Sequence, residues 1–156
     1  MLEIVVITVS DRAFRGEYED LSGPKIRELI LASDLSAKVT LTVVPDEREA
    51  IHTAIVDNLD KDFIFTTGGT GISSRDITPE VTQEICEKSL PGIDEFLRRE
   101  SFKETPFAVL SSGFSGMKAK TMIINLPGSV KAVTLCTNLM LPILAHAKKM
   151  VEGGKH

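Results

Sequence analysis

Runs of β-branched and other apolar residues alternate along this chain with segments whose apolar residues recur at helical spacing. Residues 3–9 (EIVVITV), 38–44 (KVTLTVV) and 63–67 (FIFTT) predict three strands, and the continuous run of the first predicts burial on both faces. Residues 25–32 (KIRELILA) and 46–59 (DEREAIHTAIVDNL) predict the helices that follow the first two strands. Such alternation is typical of a mostly parallel sheet.

The second half of the chain continues the same alternation. Residues 78–88, 93–102 and 129–149 predict helices, and residues 107–110 and 121–126 predict two strands separated by the loop SSGFSGMKAK. Ser22 and Thr78 are predicted to cap their helices, because a proline that fits the first helical turn follows each of them. We therefore predict one α/β domain over residues 1–156, with a mostly parallel central sheet and helices on both faces.

Four loops that follow predicted strands carry the chemically interesting residues: SDR, VPDE, TTGGTG and NLPGS. In sheets of this kind ligands bind beyond the carboxyl ends of the strands, so these loops form the candidate site. The loop TTGGTG is not a Walker A loop, since no Gly-Lys-Ser/Thr follows, and it lacks the dinucleotide pattern GxGxxG. Its glycines either let backbone amides hold a phosphate or simply form a tight connection.

Three aspartates in these loops are candidate ligands of a metal ion. Asp76 lies just after the glycine loop, and the predicted cap at Thr78 leaves its carboxylate free for Mg²⁺. Asp46 opens the sequence D-E-R-E, which matches a capping box. It therefore caps a helix or binds a metal ion, and it can do both only if its carboxylate spares an oxygen for the metal. Asp11 follows Ser10 and has the same ambiguity: it is either a functional residue or an ordinary loop residue, because both residue types are common in loops.

Composition and charge exclude several classes of protein. The 18 basic and 22 acidic residues give a net charge of −4, which argues against a general nucleic-acid binder. The N-terminus lacks a basic region with a cleavage site and the apolar runs are too short to cross a bilayer, so we expect a cytoplasmic protein without membrane contact. Cys86 and Cys136 lie far apart without CxxC spacing, which indicates neither a disulfide framework nor a zinc site.

Taken together and in order, five segments resemble the MogA/MoaB family of molybdopterin-binding proteins, which includes the molybdopterin adenylyltransferases. The segments are SDRAFRGEYEDLSGP, VPDE, TTGGTGISSRDITPE, NLPGS and LMLPILAHAKKM. The resemblance implies a three-layer α/β/α sandwich, usually assembled as a homotrimer. It also implies transfer of AMP from Mg-ATP to the terminal phosphate of molybdopterin, with release of pyrophosphate. ATP and molybdopterin would be the substrates, Mg²⁺ the cofactor, and a molybdate-inserting enzyme the possible next recipient.

The same resemblance assigns roles to individual residues. It implies catalytic and metal-binding roles for Asp46 and Asp76, which fall on the aspartates of the family's PDE and RDxTPE motifs. Many relatives carry an arginine where this chain has Ser112; if that arginine contacts phosphate, Lys118 or Lys120 must replace it. The implied substrate-binding residues are Ser10, Asp11, Gly68, Gly69, Thr70, Gly71, Pro127, Gly128 and Ser129.

Elementary chemistry agrees with adenylyl transfer but leaves two other functions open. Phosphoryl chemistry depends on positioning, a metal ion and charge neutralisation, and an attacking phosphate is already anionic, so no strong general base is required. A non-catalytic molybdopterin carrier of the same fold would bind the pterin without releasing pyrophosphate. A phosphate-ligand hydrolase on a similar fold would hydrolyse ATP or a dinucleotide without any pterin.

Overall fold

The computed structural model describes residues 1–154, and six strands form one sheet in the order β2-β1-β3-β6-β5-β4. The first four strands in that order are parallel, whereas β5 is antiparallel to β6 and β4 is antiparallel to β5. The prediction of a mostly parallel sheet is therefore confirmed, with a short antiparallel edge added. The strands are β1 (Leu2–Val9), β2 (Ala37–Val44), β3 (Phe63–Thr67), β4 (Lys88–Ser89), β5 (Ser115–Lys118) and β6 (Thr121–Leu126).

Helices cover both faces of this sheet. They are α1 (Asp11–Phe14), α2 (Ser22–Leu31), α3 (Arg48–Val56), α4 (Thr78–Ile85), α5 (Pro91–Phe102) and α6 (Val130–Val151), and a 3₁₀ helix spans Pro106–Leu110. Helices α2, α5 and α6 pack on one face, and α3 and α4 pack on the other. The three-layer α/β/α sandwich implied by the family resemblance is confirmed. Residues 155 and 156 of the predicted domain lie outside the described residues.

The central strand β1 shows how the sequence produces the three layers. Successive side chains of a strand point to opposite faces, so its apolar residues serve both cores. Ile4 and Val6 belong to the core under α2, α5 and α6, whereas Val5 and Ile7 belong to the core under α3 and α4. Each fully buried side chain of this size stabilises the fold by about 1.5–3 kcal/mol.

Helix α6 spans 22 residues and nearly coincides with the helix predicted at 129–149. Within residues 1–154, it is the one helix long and apolar enough to cross a membrane by length and composition. However, its residues Val133, Met140 and Leu144 are fully buried in the core under α2 and α5. One face of α6 therefore packs as the core helix of an α/β sandwich does.

The strand predicted at residues 107–110 is wrong. The chain forms the 3₁₀ helix there, since the Thr105 hydroxyl accepts a hydrogen bond from the Phe107 amide at 3.3 Å and caps the turn. Pro106 occupies the first helical position, where its missing N–H costs nothing. The fifth strand instead lies within the segment predicted as a loop, SSGFSGMKAK, as β5.

The predicted helix caps at Ser22 and Thr78 are also wrong. Ser22 is the first residue of α2, and the carboxylate of Asp20 accepts the Gly23 amide at 3.1 Å in its place. Thr78 is the first residue of α4, and its fully buried hydroxyl has no hydrogen-bond partner within the described part of the chain. Both serine and threonine therefore lie inside their helices, one position after the N-cap residue.

Candidate functional site

The carboxyl ends of four parallel strands meet at one edge of the sheet. The strand register pairs Val9 with Val44 and Thr67 with Leu126, so the loops that follow these residues are neighbours. Those are the four loops that the sequence marked as the candidate site. The edge also lies where strand order reverses direction along the chain, which is the usual ligand position in open α/β sheets.

The glycine loop passes so close to its neighbours that side chains cannot be accommodated. Gly68 and Gly69 have φ angles of +96° and +67°, a region that residues with a Cβ rarely adopt. A Cβ at Gly68 would overlap the carbonyl oxygen of Val9, and one at Gly69 would overlap the hydroxyl of Thr78. These two glycines are therefore required by backbone conformation and by close packing together.

Asp11 and Asp46 hold each other's backbone. The Asp46 carboxylate accepts the Asp11 amide at 3.0 Å, and the Asp11 carboxylate accepts the Asp46 amide at 2.9 Å. The guanidinium of Arg75 pairs with the second oxygen of Asp11. This reciprocal pair, the Asp11–Asp46 clasp, fixes two of the four loops against each other.

The hydrogen bonds of the clasp show whether Asp46 caps helix α3. Helix α3 begins at Arg48, and the residue before it, Glu47, makes no capping hydrogen bond with its side chain. The capping interpretation of Asp46 is therefore wrong. Burial, together with the Asp11 carboxylate, raises the pKa of Asp46, whereas the Arg75 guanidinium and then the Asp46 amide lower the pKa of Asp11.

Asp76 closes the turn that follows the glycine loop. Its carboxylate accepts the Ser73 hydroxyl at 2.7 Å and the Ser73 amide at 3.0 Å. These hydrogen bonds, the hydroxyl first, hold the pKa of Asp76 below its usual value. The loop backbone lies directly against this carboxylate, since a Cβ at Gly71 would sit 2.7 Å from it.

The carboxylates of Asp46 and Asp76 both lie against the glycine loop. A Cβ on Gly69 would be 3.3 Å from an Asp46 oxygen, and the Asp76 charge contributes to the raised pKa of Asp46. Within residues 1–154, no group of three or more His, Cys, Asp or Glu side chains is arranged so that it could hold a metal ion by itself. Two carboxylates fit Mg²⁺, which usually takes one or two carboxylates and completes its shell with water and substrate phosphates.

The Leu-Pro-Gly turn packs directly against the glycine loop. The Thr67 hydroxyl donates to the Pro127 carbonyl at 2.7 Å, and a Cβ on Gly128 would be 3.4 Å from the Gly68 Cα. Ser10, Gly68 and Gly128 line one small cavity of about 130 Å³. The structure therefore brings together the first loop, the glycine loop and this turn.

Ser129 is placed differently from the other candidate residues. Its hydroxyl accepts the Ala132 amide at 3.1 Å and so caps α6. It lines a separate cavity of about 160 Å³ with Glu104 and Lys131. The structure gives Ser129 a role in starting the helix and does not bring it to the Asp46 and Asp76 carboxylates.

A larger cavity of about 410 Å³ opens beside the glycine loop and shares Thr70, Gly71 and Pro127 with the candidate site. Its volume lies within the range of small-molecule pockets. Asp94 and Arg98 of α5 line the same cavity. The apolar part of its wall consists of Ile72, Leu97, Phe107, Ala108, Leu110 and Ala132.

Sequence reasoning missed Asp94, Arg98 and Asn125 in this cavity. Asp94 and Arg98 lie in a helix of ordinary charged composition, so no local pattern distinguishes them. Asn125 did carry a signal, because it is a polar residue in an otherwise apolar strand end. Its amide group donates to the hydroxyls of Thr66 and Thr82 at 2.8 and 3.0 Å.

The hypothesis that Lys118 or Lys120 replaces a family arginine is wrong. Both residues lie in or beside the β5–β6 hairpin, at the end of β6 opposite the glycine loop, and Lys118 pairs with Glu87 at 2.8 Å. Ser112 instead donates through its hydroxyl to the Thr70 carbonyl at 2.9 Å and supports the glycine loop. The cation nearest to this loop on the cavity wall is Arg98.

Fold and site define an α/β protein whose candidate ligand site lies beyond the carboxyl ends of its parallel strands. The family described as "Probable molybdopterin binding domain" matches residues 5–146. The chain belongs to this molybdopterin-binding family.

Relatives and solved structures agree with that assignment. The molybdopterin adenylyltransferase of Helicobacter pylori is 39% identical over 156 residues, which cover 97% of this chain and 89% of that protein. The Escherichia coli protein of the same name is 33% identical, with 85% and 70% covered. The crystal structure of the molybdopterin biosynthesis enzyme MoaB from Thermus thermophilus matches with a TM-score of 0.88, 39% identity and 98% of both chains covered.

Proposed function

We propose that this protein is an enzyme of molybdenum cofactor biosynthesis that transfers AMP from ATP to molybdopterin and releases pyrophosphate. The observation that carries the proposal is the placement of the Asp46 and Asp76 carboxylates against a glycine loop that also lines a cavity of about 410 Å³. The relatives named molybdopterin adenylyltransferase cover nearly the whole chain, which supports this activity over a carrier role.

Each part of the site has a task in this reaction. Backbone amides of the glycine loop hold phosphate oxygens, since an outward-facing run of amides forms an anion site. Asp46 and Asp76 would hold Mg²⁺, which when bound neutralises charge that builds up on the transferring phosphate. The Asp11–Asp46 clasp keeps the Asp46 carboxylate oriented toward the loop. The apolar cavity takes the pterin ring and excludes water from it.

Replacing Asp76 by Asn separates catalysis from binding. We expect Asp76→Asn to lower the rate of adenylyl transfer at least about a hundredfold, as loss of a preorganised electrostatic group does. The amide oxygen can still accept the Ser73 amide, so the turn should keep its shape and pterin binding should be largely intact. Single-turnover transfer and pterin affinity would be measured on the same preparation.

The matched control is Asp57→Asn, at an exposed carboxylate just past the end of α3, which should leave both quantities unchanged. Equal loss of transfer and of pterin binding in Asp76→Asn would show that Asp76 binds substrate or supports the fold.

The remaining family properties belong to the same proposal. We expect a cytoplasmic homotrimer that passes its adenylylated product to a molybdate-inserting enzyme. Three apolar side chains of the 3₁₀ helix, Phe107, Val109 and Leu110, are exposed, which supports association because grouped exposed apolar residues mark interaction sites. Light scattering on the purified protein would give three times the mass of one chain.

A further inference from the structure

Asp94 and Arg98 of α5 are the charged residues among those that line the large cavity. Asp94 and Arg98 are one helical turn apart on that side, so their side chains are neighbours. The Asp94 residue is only 8% exposed and lines the cavity, and its carboxylate accepts hydrogen bonds from Ser115. A buried carboxylate beside a guanidinium is a donor–acceptor pair at the edge of an apolar slot.

The charged form of Asp94 is disfavoured by its burial. Burial raises the pKa of the Asp94 carboxyl, although Ser115 and the Arg98 charge oppose that effect. A group with a raised pKa is penalised in its charged form, so it lowers stability at neutral pH. Asp94 lies in the first turn of α5, where an acidic residue gains a little from the helix dipole, but that role needs no burial.

Arg98 is held in place by backbone carbonyls. One of its terminal nitrogens, Nη1, donates to the carbonyls of Ser111 at 3.3 Å and Gly113 at 2.9 Å. Because a guanidinium has five N–H donors in a rigid plane, two carbonyls leave further donors for a ligand in the cavity. The fixed plane also sets the direction in which those donors point.

We propose that Asp94 and Arg98 recognise the pyrimidinone edge of the pterin ring, an inference that rests on the proposed function. That edge presents, side by side, a 4-oxo acceptor, the N3–H donor and the 2-amino donor. The Asp94 carboxylate accepts both N–H groups as a bidentate pair, and Arg98 donates to the 4-oxo group. The apolar residues of the cavity cover the ring faces. Asp94 is thereby the residue that selects a 2-amino ring over a 2-oxo ring.

A lumazine ring tests this selection directly, because it carries a 2-oxo group where a pterin carries the 2-amino group. The probes are the phosphate ester of 6-hydroxymethylpterin and its lumazine counterpart. Both rings fluoresce, and the chain has no Trp to interfere, so titration gives the two dissociation constants without ATP or turnover. We expect the wild-type protein to prefer the pterin at least about tenfold, as a hydrogen bond to a charged group provides.

Two variants separate the roles of the two residues. In Asp94→Asn the amide N–H₂ can donate to the 2-oxo group, so the tenfold preference should disappear or reverse. In Arg98→Gln both ligands should bind more weakly by a similar factor, since both carry the 4-oxo group. The matched controls are Glu95→Gln and Arg99→Gln, at exposed neighbours on the same helix, which should bind as the wild type does.

Equal binding of pterin and lumazine by the wild type, or no binding of either, would overturn the inference without any variant. An unchanged preference in a folded Asp94→Asn protein would also overturn it. The proposed function is tested separately. If the wild type prefers the pterin tenfold but releases no pyrophosphate with molybdopterin and ATP, the recognition by Asp94 and Arg98 stands and the proposed enzymatic activity is contradicted.

Discussion

At the residue scale, the site depends on side chains that hold backbone as much as on side chains that face a ligand. Asp46 both accepts the Asp11 amide and keeps an oxygen near Gly69, so one carboxylate serves structure and chemistry. The sequence motif predicted that Asp46 and Asp76 approach the glycine loop, and the structure brings them there. The sequence motif could not predict the Asp11–Asp46 clasp. The two residues are 35 positions apart in the chain, and only the register of β1 against β2 brings them together.

The glycine loop gives a prediction about single residues. Gly68→Ala should destabilise the protein by about 2 kcal/mol or more, since it adds a Cβ at a φ of +96° and against the Val9 carbonyl. Gly92→Ala is the control, because a Cβ there meets no atom within 4 Å, and its effect should stay within about 0.5 kcal/mol. Urea unfolding measures both; equal stability of the two variants would contradict this account of the loop.

At the scale of elements, the existence and order of helices and strands could be predicted, whereas their starts could not. Residues 107–110 have the apolar composition of a strand, but Pro106 and the Thr105 cap turn them into a 3₁₀ helix. The capping patterns fail for different reasons: Asp20 accepts the Gly23 amide before α2, Asp46 accepts the Asp11 amide of another loop, and Thr78 is already the first residue of α4. Local propensity is weak wherever a tertiary contact competes with it.

Asp62 connects three elements at the edge of the sheet opposite the site. Its carboxylate accepts the Lys148 ammonium of α6 at 2.6 Å and the Glu3 amide of β1 at 2.8 Å. Burial acts to raise the pKa of Asp62, but these two hydrogen bonds outweigh burial and keep the pKa below its ordinary value of 3.8. A carboxylate with a lowered pKa stabilises the fold above its unfolded pKa, and that contribution is lost as pH falls through the folded pKa.

We therefore expect Asp62→Asn to lower the free energy of unfolding by about 1–3 kcal/mol at pH 7. The difference from wild type should shrink as pH falls below 3.8, where the wild-type carboxyl also becomes neutral. Asp60→Asn, at an exposed neighbour, should change stability little at any pH. Urea unfolding at a series of pH values would detect this; a constant difference between Asp62→Asn and wild type would show that charge is not the cause.

At the scale of the whole molecule, the doubly covered sheet follows from the pattern of apolar residues, and the position of the site follows from the sheet. Four parallel strands place their loops at one edge, so the candidate site could be located before its contacts were known. The 410 Å³ cavity could not be predicted, because its walls come from α5, the 3₁₀ helix and α6, which no single motif links. Its polar pair, Asp94 and Arg98, depends on that packing.

The measurement that tests the central claim most directly is pyrophosphate release by the purified protein with ATP, Mg²⁺ and molybdopterin. Reactions that omit the pterin, the ATP or the metal ion in turn are the controls. We predict release that requires all three components and that stops at one pyrophosphate for each molybdopterin supplied. Pterin binding without any release would contradict the enzyme and indicate a carrier, and phosphate or pyrophosphate release without pterin would indicate a hydrolase.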